Sequence, residues 1–330
     1  MKRILFPVLL ILISPLLVNS QEPEIKGKPI VEIFTDLHYN LKKDSLNTTG
    51  FGINRAYFGY DFTLDNNFAT AVILDIGNPL DLPLGSKSRR YAHFREASIR
   101  YTGEKLTLTA GITGTRIFSY QQKFWGKRYI ANTYQSINGY GFVADLGVVA
   151  DYRFNEIFTA DISLTNGEGY STLQLDNSLK SSLGVTITPV KFLAIRLYSD
   201  LMKKEGVFQN TLVGFIGFRS EIFYIGGEVS FKSNLDLTEG HHAWGASSTA
   251  GLKVSEKNEI FARYDYSTSV TAPGDMTGWN YERDGSFIIA GLERTFNKYI
   301  KASINYQSFY PVDYSKDISD YIYLNLLVKF

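Results

Sequence analysis

The sequence predicts an all-β fold: a transmembrane, antiparallel, up-and-down β-barrel of about 16 strands, within a range of about 14 to 18. Three observations lead there. From Ile30 to Phe330 the chain falls into segments of about 8–12 residues in which apolar or aromatic side chains alternate with polar, charged or glycine positions. The connections between segments alternate between short and long. Prolines are kept out of the segments, as a closed ladder without an edge requires: Pro7, Pro15, Pro23 and Pro29 precede them, and Pro79, Pro83, Pro189, Pro273 and Pro311 lie in loops or turns.

The first 20 residues are read as an export signal. Lys2-Arg3 is a short basic start, Ile4–Val18 is apolar, and Val18-Asn19-Ser20 is a small-residue cleavage site before Gln21. The apolar run is short for a span and carries two prolines. Without Lys2 and Arg3 the remaining chain is about neutral, so nothing favours nucleic acid as a partner. Residues 21–28 read as a polar N-terminal tail and 29–330 as the barrel. No stretch beyond Gln21 approaches the ~18 apolar residues of a spanning helix.

The first half supplies seven of the expected strands. Val31, Ile33, Leu37 and Tyr39 oppose Glu32, Asp36 and His38, and Phe58 and Tyr60 oppose Arg55, Tyr57 and Asp61. Val72, Leu74 and Ile76 oppose Asp75, and Ala97, Ile99 and Tyr101 oppose Glu96, Ser98 and Arg100. Leu106–Thr113, Ala144–Tyr152 and Phe158–Thr165 follow. The second half continues through segments centred on Val185, Ile195, Gly214, Val229, Ser248, Tyr264, Ala290, Ile304 and Leu326. High aromatic content, with 22 Tyr and 23 Phe, suits strands whose surfaces are apolar below and wet above. Lipid offers no partner to backbone polar groups, so strands crossing it must close on one another.

The longest connection within this pattern, 116–139, is also the most distinctive. It holds Arg116, Lys123, Lys127 and Arg128 among Phe118, Tyr120, Phe124, Trp125, Tyr129 and Tyr134, with no acid between Glu104 and Asp145. Aromatics are costly to leave solvated, so the loop is expected to fold inward and narrow the lumen. Arg116, Lys123, Trp125, Lys127 and Arg128 are the candidate constriction residues. Three placements fit those cations: a lumenal ring attracting anions, contact with lipopolysaccharide phosphates, or pairing with lumenal acids.

By the alternation, Arg55, Asp61, Glu96, Arg100, Asp145, Asp151, Arg196, Glu228, Arg263 and Glu293 line the lumen. Such a mixed wall reads as solvated or cross-strand paired lining, or as a transverse field that sorts dipolar solutes. Chemistry is not indicated. Cysteine is absent, the four histidines (His38, His93, His241, His242) have no metal-ligand spacing, and hydrolase, zincin and phosphate-loop motifs are missing. Neither a cofactor nor a metal is expected.

The run FGINRAYFGYDF (Phe51–Phe62), with KFWGKRYI (Lys123–Ile130), ADLGV (Ala144–Val148) and NGEGY (Asn166–Tyr170), resembles porins of Bacteroidetes outer membranes and, distantly, the phosphate-selective porin O/P family. The likeness covers about Phe51 to Pro189. It implies a sixteen-stranded, trimeric outer-membrane barrel whose third outer loop folds inward, passing small hydrophilic solutes, anions among them, by diffusion. Phe330 resembles the C-terminal residue recognised by the barrel-assembly machinery. The family's ladder of basic residues is not matched, since the wall here is mixed. A structural or adhesive barrel with a blocked lumen is the alternative.

Overall fold

The computed structural model describes residues 26–42, 49–77, 92–174 and 176–330. The expected signal and the first part of the tail lie outside the described residues. The strands are β1 (Lys26–Asn40), β2 (Gly50–Thr63), β3 (Phe68–Gly77), β4 (Ala92–Thr102) and β5 (Leu106–Gly114), followed by two short helices, α1 (Ser119–Trp125) and α2 (Tyr134–Ile137). Then come β6 (Ala144–Arg153), β7 (Phe158–Thr165), β8 (Lys180–Val190), β9 (Leu193–Lys204), β10 (Val207–Arg219) and β11 (Phe223–Ser233). The last five are β12 (Ala243–Lys253), β13 (Asn258–Ser269), β14 (Gly285–Thr295), β15 (Ile300–Pro311) and β16 (Ser319–Lys329).

Each strand pairs antiparallel with its sequence neighbours, and β1 pairs with β16, closing a barrel of 16 strands. At the closing seam Leu37 lies opposite Leu324, and the backbones of Val31 and Phe330 exchange two hydrogen bonds. A ring of this size is wide enough to leave an aqueous interior rather than a side-chain-filled core.

Burial follows the period-two pattern and gives it a direction. Phe58, Ile162, Leu197, Ile225 and Val229 stand exposed on the outside, while Asp75, Asp145, Thr211, Ser230 and Asn325 are almost fully buried inside. A continuous apolar exterior around a polar interior is the inverse of a water-soluble β-protein and is a surface that hydrocarbon solvates. At the short-turn end the rings of Tyr152, Phe154 and Phe158 form one contact chain, and those of Phe192, Phe218 and Phe223 another. These are the start of an aromatic girdle, where aromatic rings meet the polar boundary of a bilayer.

Three details differ from the sequence reading. β1 begins at Lys26, inside the expected tail, because Lys26–Lys28 pair with Asp61–Thr63 of the long β2. Pro29, Pro189 and Pro311 lie within strands rather than outside them, each close to a strand end. Pro29 precedes the first residue of β1 that has a β16 partner, Glu32, so its missing N–H leaves no gap in that ladder. The regular alternation of short and long connections also breaks once. β9 and β10 are joined on the long-loop end by Glu205-Gly206 alone, with φ of 50° and 92°. Two residues with positive φ make the hairpin turn whose twist matches the flanking strands, and glycine occupies one of them.

Candidate functional site

The connection from β5 to β6 leaves the rim and crosses the lumen. The alternation alone would not make it do so; its own apolar content does. Ile117, Phe118, Phe124, Trp125, Tyr129, Ile130, Tyr134 and Tyr140 are all buried. Each large side chain removed from water contributes about 1.5–3 kcal/mol, which favours a packed loop over a solvated one. Helix α1 ends at Gly126, whose φ of 67° is the left-handed stop that turns the chain toward Lys127.

The seat of the loop is built from apolar residues on the otherwise polar inner wall. Trp125, Tyr129 and Ile130 pack with Phe34 of β1, Tyr57 of β2, Phe261 of β13 and Ile289 of β14, so the loop is seated on the six-strand arc that holds the closing seam. Ile117, Phe118, Tyr134 and Tyr140 pack with Tyr198 of β9 and Val213 of β10. Phe124 packs with Phe215 and Tyr224, its ring lying over Gly217 and Gly226, which face each other on β10 and β11. A Cβ at Gly226 would sit 2.5 Å from the Phe124 ring, so the two glycines form a notch for it.

Polar anchors fix the same loop. Arg196 donates to the carbonyl of Arg116 at 2.8 Å, Lys232 to that of Tyr140 at 3.0 Å, and Arg219 to that of Phe124. Wall acids take loop donors: Glu259 holds Lys127, Glu293 accepts from the Tyr129 hydroxyl at 2.8 Å, and Glu228 accepts from the Gln135 amide. Burial raises the pKa of the loop phenols Tyr129 and Tyr134 above the usual value, and that of Tyr140 to about 12. They therefore remain protonated donors.

The five expected constriction residues do not share one environment. Lys123 is exposed and lines the space below the loop, and Arg128 is half-buried beside it. Arg116 is tied to Asp151 by two bonds, 2.8 and 2.6 Å, and does not stand free in the lumen. Lys127 and Trp125 are buried, at 4% and 3% exposure, and Lys127 takes the third of the placements open to it, pairing with a wall acid rather than joining a lumenal ring. Lys127 is drawn into the wall because Glu259 and the faces of Tyr224 and Phe261 together replace its water.

Most of the ten expected wall residues are paired. Arg55 bonds Asp75 at 2.6 Å, Arg100 faces Asp61 at 3.3 Å, Arg196 bonds Asp161 at 2.7 Å, and Arg263 bonds Asp265 at 2.5 Å. Asp145 accepts the backbone N–H of Gly167 at 2.7 Å, and Glu96 accepts from Ser98 at 3.0 Å. Sequence reasoning missed Arg95. Ile73 pairs with Glu96 and Leu74 with Phe94, so Arg95 is the extra residue of a β-bulge and turns into the lumen with Glu96. Period-two counting places it outside.

The loop leaves cavities on both sides. The one toward the long loops is about 840 Å³ and contains Arg55, Lys180, Lys204, Lys232 and Arg283 against Glu168 and Asp236. Below the loop, a cavity of about 420 Å³ contains Arg95, Lys123, Arg128, Lys301 and Lys329 against Glu32 and Glu96. A neighbouring recess of about 260 Å³ contains Lys123, Lys191 and Arg219 and no acid. A low-dielectric wall lined by one excess sign focuses potential in the space it encloses. Among the described residues no cluster of His, Asp or Glu is arranged to hold a metal.

The chain matches no family model and no curated protein sequence. Its fold is shared with solved structures. OmpF of Salmonella typhi, in complex with daunomycin, superposes with a TM-score of 0.71 at 11% identity, covering 93% of this chain and 98% of that one. The outer-membrane channel DcaP of Acinetobacter baumannii gives 0.65 at 11% identity, covering 93% and 97%. The trimer form of OmpT, an outer-membrane protein of Vibrio cholerae, gives 0.64 at 13% identity, covering 93% and 99%. Closure, strand number and the reach of these superpositions agree: the chain has the sixteen-stranded fold of outer-membrane porins and channels.

Proposed function

We propose that the protein is an outer-membrane porin through which small hydrophilic solutes diffuse passively, with anions favoured over cations. The observation that carries the preference is the charge balance of the path. Counting the acids that pair with lining cations (Asp75, Asp176 and Glu293) beside those that line the space, five cationic residues stand against four acidic ones above the loop and five against three below it. The wall as a whole is mixed, so the excess is local to the places a solute occupies. No step of chemistry is invoked; selectivity comes from the width beside the loop and from the field of Arg and Lys side chains. Export by a cleaved signal, delivery by the barrel-assembly machinery through the strand ending at Phe330, contact of the rim with lipopolysaccharide, and assembly as a homotrimer belong to the same proposal, as does kinship with the phosphate-selective porins.

Planar-bilayer recording of the purified protein tests it. Stable step currents with a reversal potential showing anion preference in a potassium chloride gradient are expected. A reversal potential favouring potassium removes the preference, and absence of steps leaves the reading of a closed structural barrel. That second reading rests on the cluster that joins the loop to β1, β2, β13 and β14.

A further inference from the structure

Three rings on the inner wall stand apart from the clusters that seat the inward loop: His38 of β1 and Tyr321 and Tyr323 of β16. Period two puts His38 on the face of Phe34, and the two tyrosines on the face of Asn325. Phe34 and Asn325 both touch the loop, so all three rings point into the lumen. His38 lies beyond Phe34 toward the long-loop rim, about 13 Å along the strand. The ring centroids make a triangle with sides of 6.0, 5.8 and 5.6 Å. Their planes meet at 70°, 41° and 40°, so the rings do not cover one another's faces. Phe34, Tyr57 and Phe261, under the loop, are buried, whereas these three remain partly exposed.

Their polar edges are open as well. Among the described residues neither tyrosine hydroxyl has a hydrogen-bond partner, and neither is sealed from water. Nδ1 of His38 lies 2.7 Å from the Asp36 carboxylate, which only accepts, so Nδ1 carries the proton and Nε2 of the neutral ring is left as an acceptor. Gly50 and Gly52 stand opposite His38 and Asp36 on β2, so no side chain from those positions crowds the ring. A Cβ at Gly52 would lie 2.7 Å from the Asp36 carboxylate. Aromatic surface turned to water, with accessible hydrogen-bonding groups at its rim, fits a solute that is apolar on one face and polar at its edge.

We infer that His38, Tyr321 and Tyr323 form a docking platform for one pyranose ring of a neutral sugar, on the long-loop side of the inward loop. The C–H bonds on the face of a pyranose present positive hydrogens to the negative face of an aromatic ring, and its hydroxyls reach sideways to donors and acceptors. An inorganic anion has no apolar face to offer, and Asp36, the ionised group bonded to the platform, repels it. The inference rests on the lumen being a solute path, and it adds a class of solute that the charge of the path does not select.

The full chain in planar bilayers, bathed in potassium chloride, is titrated with glucose and separately with sorbitol, which has the same carbon skeleton without the ring. Saturable block by glucose is expected, against the shallow, unsaturating fall that sorbitol causes through viscosity. Tyr321→Ala and Tyr323→Ala are each expected to raise the half-blocking concentration about fivefold, the effect of losing one aromatic contact. Tyr323→Phe keeps the ring and loses the hydroxyl, and is expected to raise it about threefold. That variant decides the matter should the alanine variants fail to assemble. Equal effects of glucose and sorbitol, or half-blocking concentrations unchanged in Tyr321→Ala and Tyr323→Phe, overturn the platform. Block by nicotinamide, a neutral planar ring, without block by glucose overturns the sugar assignment in favour of aromatic solutes. Should wild type carry no current, the porin reading fails by itself, and calorimetric titration with glucose, in a detergent without a sugar headgroup, decides the platform. Binding heat lost in Tyr321→Ala upholds it, and no heat overturns it.

Discussion

Lys127 of the inward loop and Glu259 of β13 form an ion pair inside a box of aromatic rings. The ammonium lies 5.2 Å from the ring centroids of both Tyr224 and Phe261 and 5.8 Å from that of Trp125. Removing one member of such a pair leaves a charge in a site with little water. Lys127→Ala is therefore expected to destabilise the seated loop by about 3–5 kcal/mol, and Lys127→Met with Glu259→Met to recover most of that loss. Limited trypsin digestion of the folded barrel at Lys123 and Arg128 measures it. Cleavage no faster in Lys127→Ala than in wild type contradicts the latch.

The notch under Phe124 gives a steric version of the same test. Gly226→Val places a branched side chain where the ring lies, at a cost of about 1–3 kcal/mol for overpacking. The expected phenotype is a looser loop and a larger, noisier single-channel current. Combining it with Phe124→Ala should restore a quiet current, because the added volume then occupies the space the ring vacates.

Charge on the path is separable from charge on the latch. Lys180 and Arg283 line the cavity toward the long loops and hold none of the loop carbonyls bound by Lys232 and Arg219. Lys180→Gln with Arg283→Gln should lower the chloride-to-potassium permeability ratio while leaving protease resistance as in wild type. The difference should shrink at about 1 M salt, where the screening length falls to about 3 Å. A permeability ratio that does not move at low salt would place the field elsewhere.

Orientation of the strands has its own test. Val229 is 58% exposed on β11, whereas its neighbours Glu228 and Ser230 are buried. Val229→Arg puts a cation on the outer surface and is expected to cost about 2–4 kcal/mol if that position lies near the middle of the bilayer. Denaturant-midpoint measurement in lipid vesicles reports it. A neutral effect would mean that the side facing outward is wet.

Asp284, in the connection before β14, is buried and accepts two bonds from Ser269, yet its second oxygen has no partner. Desolvation raises its pKa above the usual carboxylate value, against the Ser269 bonds. The stability this group contributes is thus full below the ordinary carboxylate pKa of about 3.9 and is lost as pH rises through the raised value. Asp284→Asn is expected to flatten that decline when unfolding midpoints are compared across about pH 4 to 7. An unchanged slope would show that the carboxyl is better solvated than its burial implies.

The ribbons were legible in the residues because one rule governs all of them. An alternating strand has two faces, and lipid and water sort them, so segments such as Phe158–Thr165 and Ile300–Gln307 announced both their existence and their orientation. The loop seat was not legible by the same rule, since Phe261 and Ile289 stand on the inner face among Arg263 and Glu293 and looked like noise. A signal did exist. In Leu212–Phe218 both faces are apolar, and the inner pair, Val213 and Phe215, is where the loop rests. For Lys127 the residues leave pairing with a lumenal acid open but do not name the acid, because Glu259 is 132 residues away. Arg95 escaped because a one-residue bulge inverts the count at that point and leaves no mark in composition.

The loop is made early but completed late. Its backbone is gripped by Gln307 of β15 at the Ile130 carbonyl and by Asn325 of β16 at the Tyr129 carbonyl, and its rings touch Phe34 of β1 and Tyr57 of β2. First and last strands thus meet on a common internal strut as well as along their own ladder. The insert therefore acts as a cross-brace against unzipping at the chain's two ends, and a variant lacking it should breathe at that joint before it opens anywhere else.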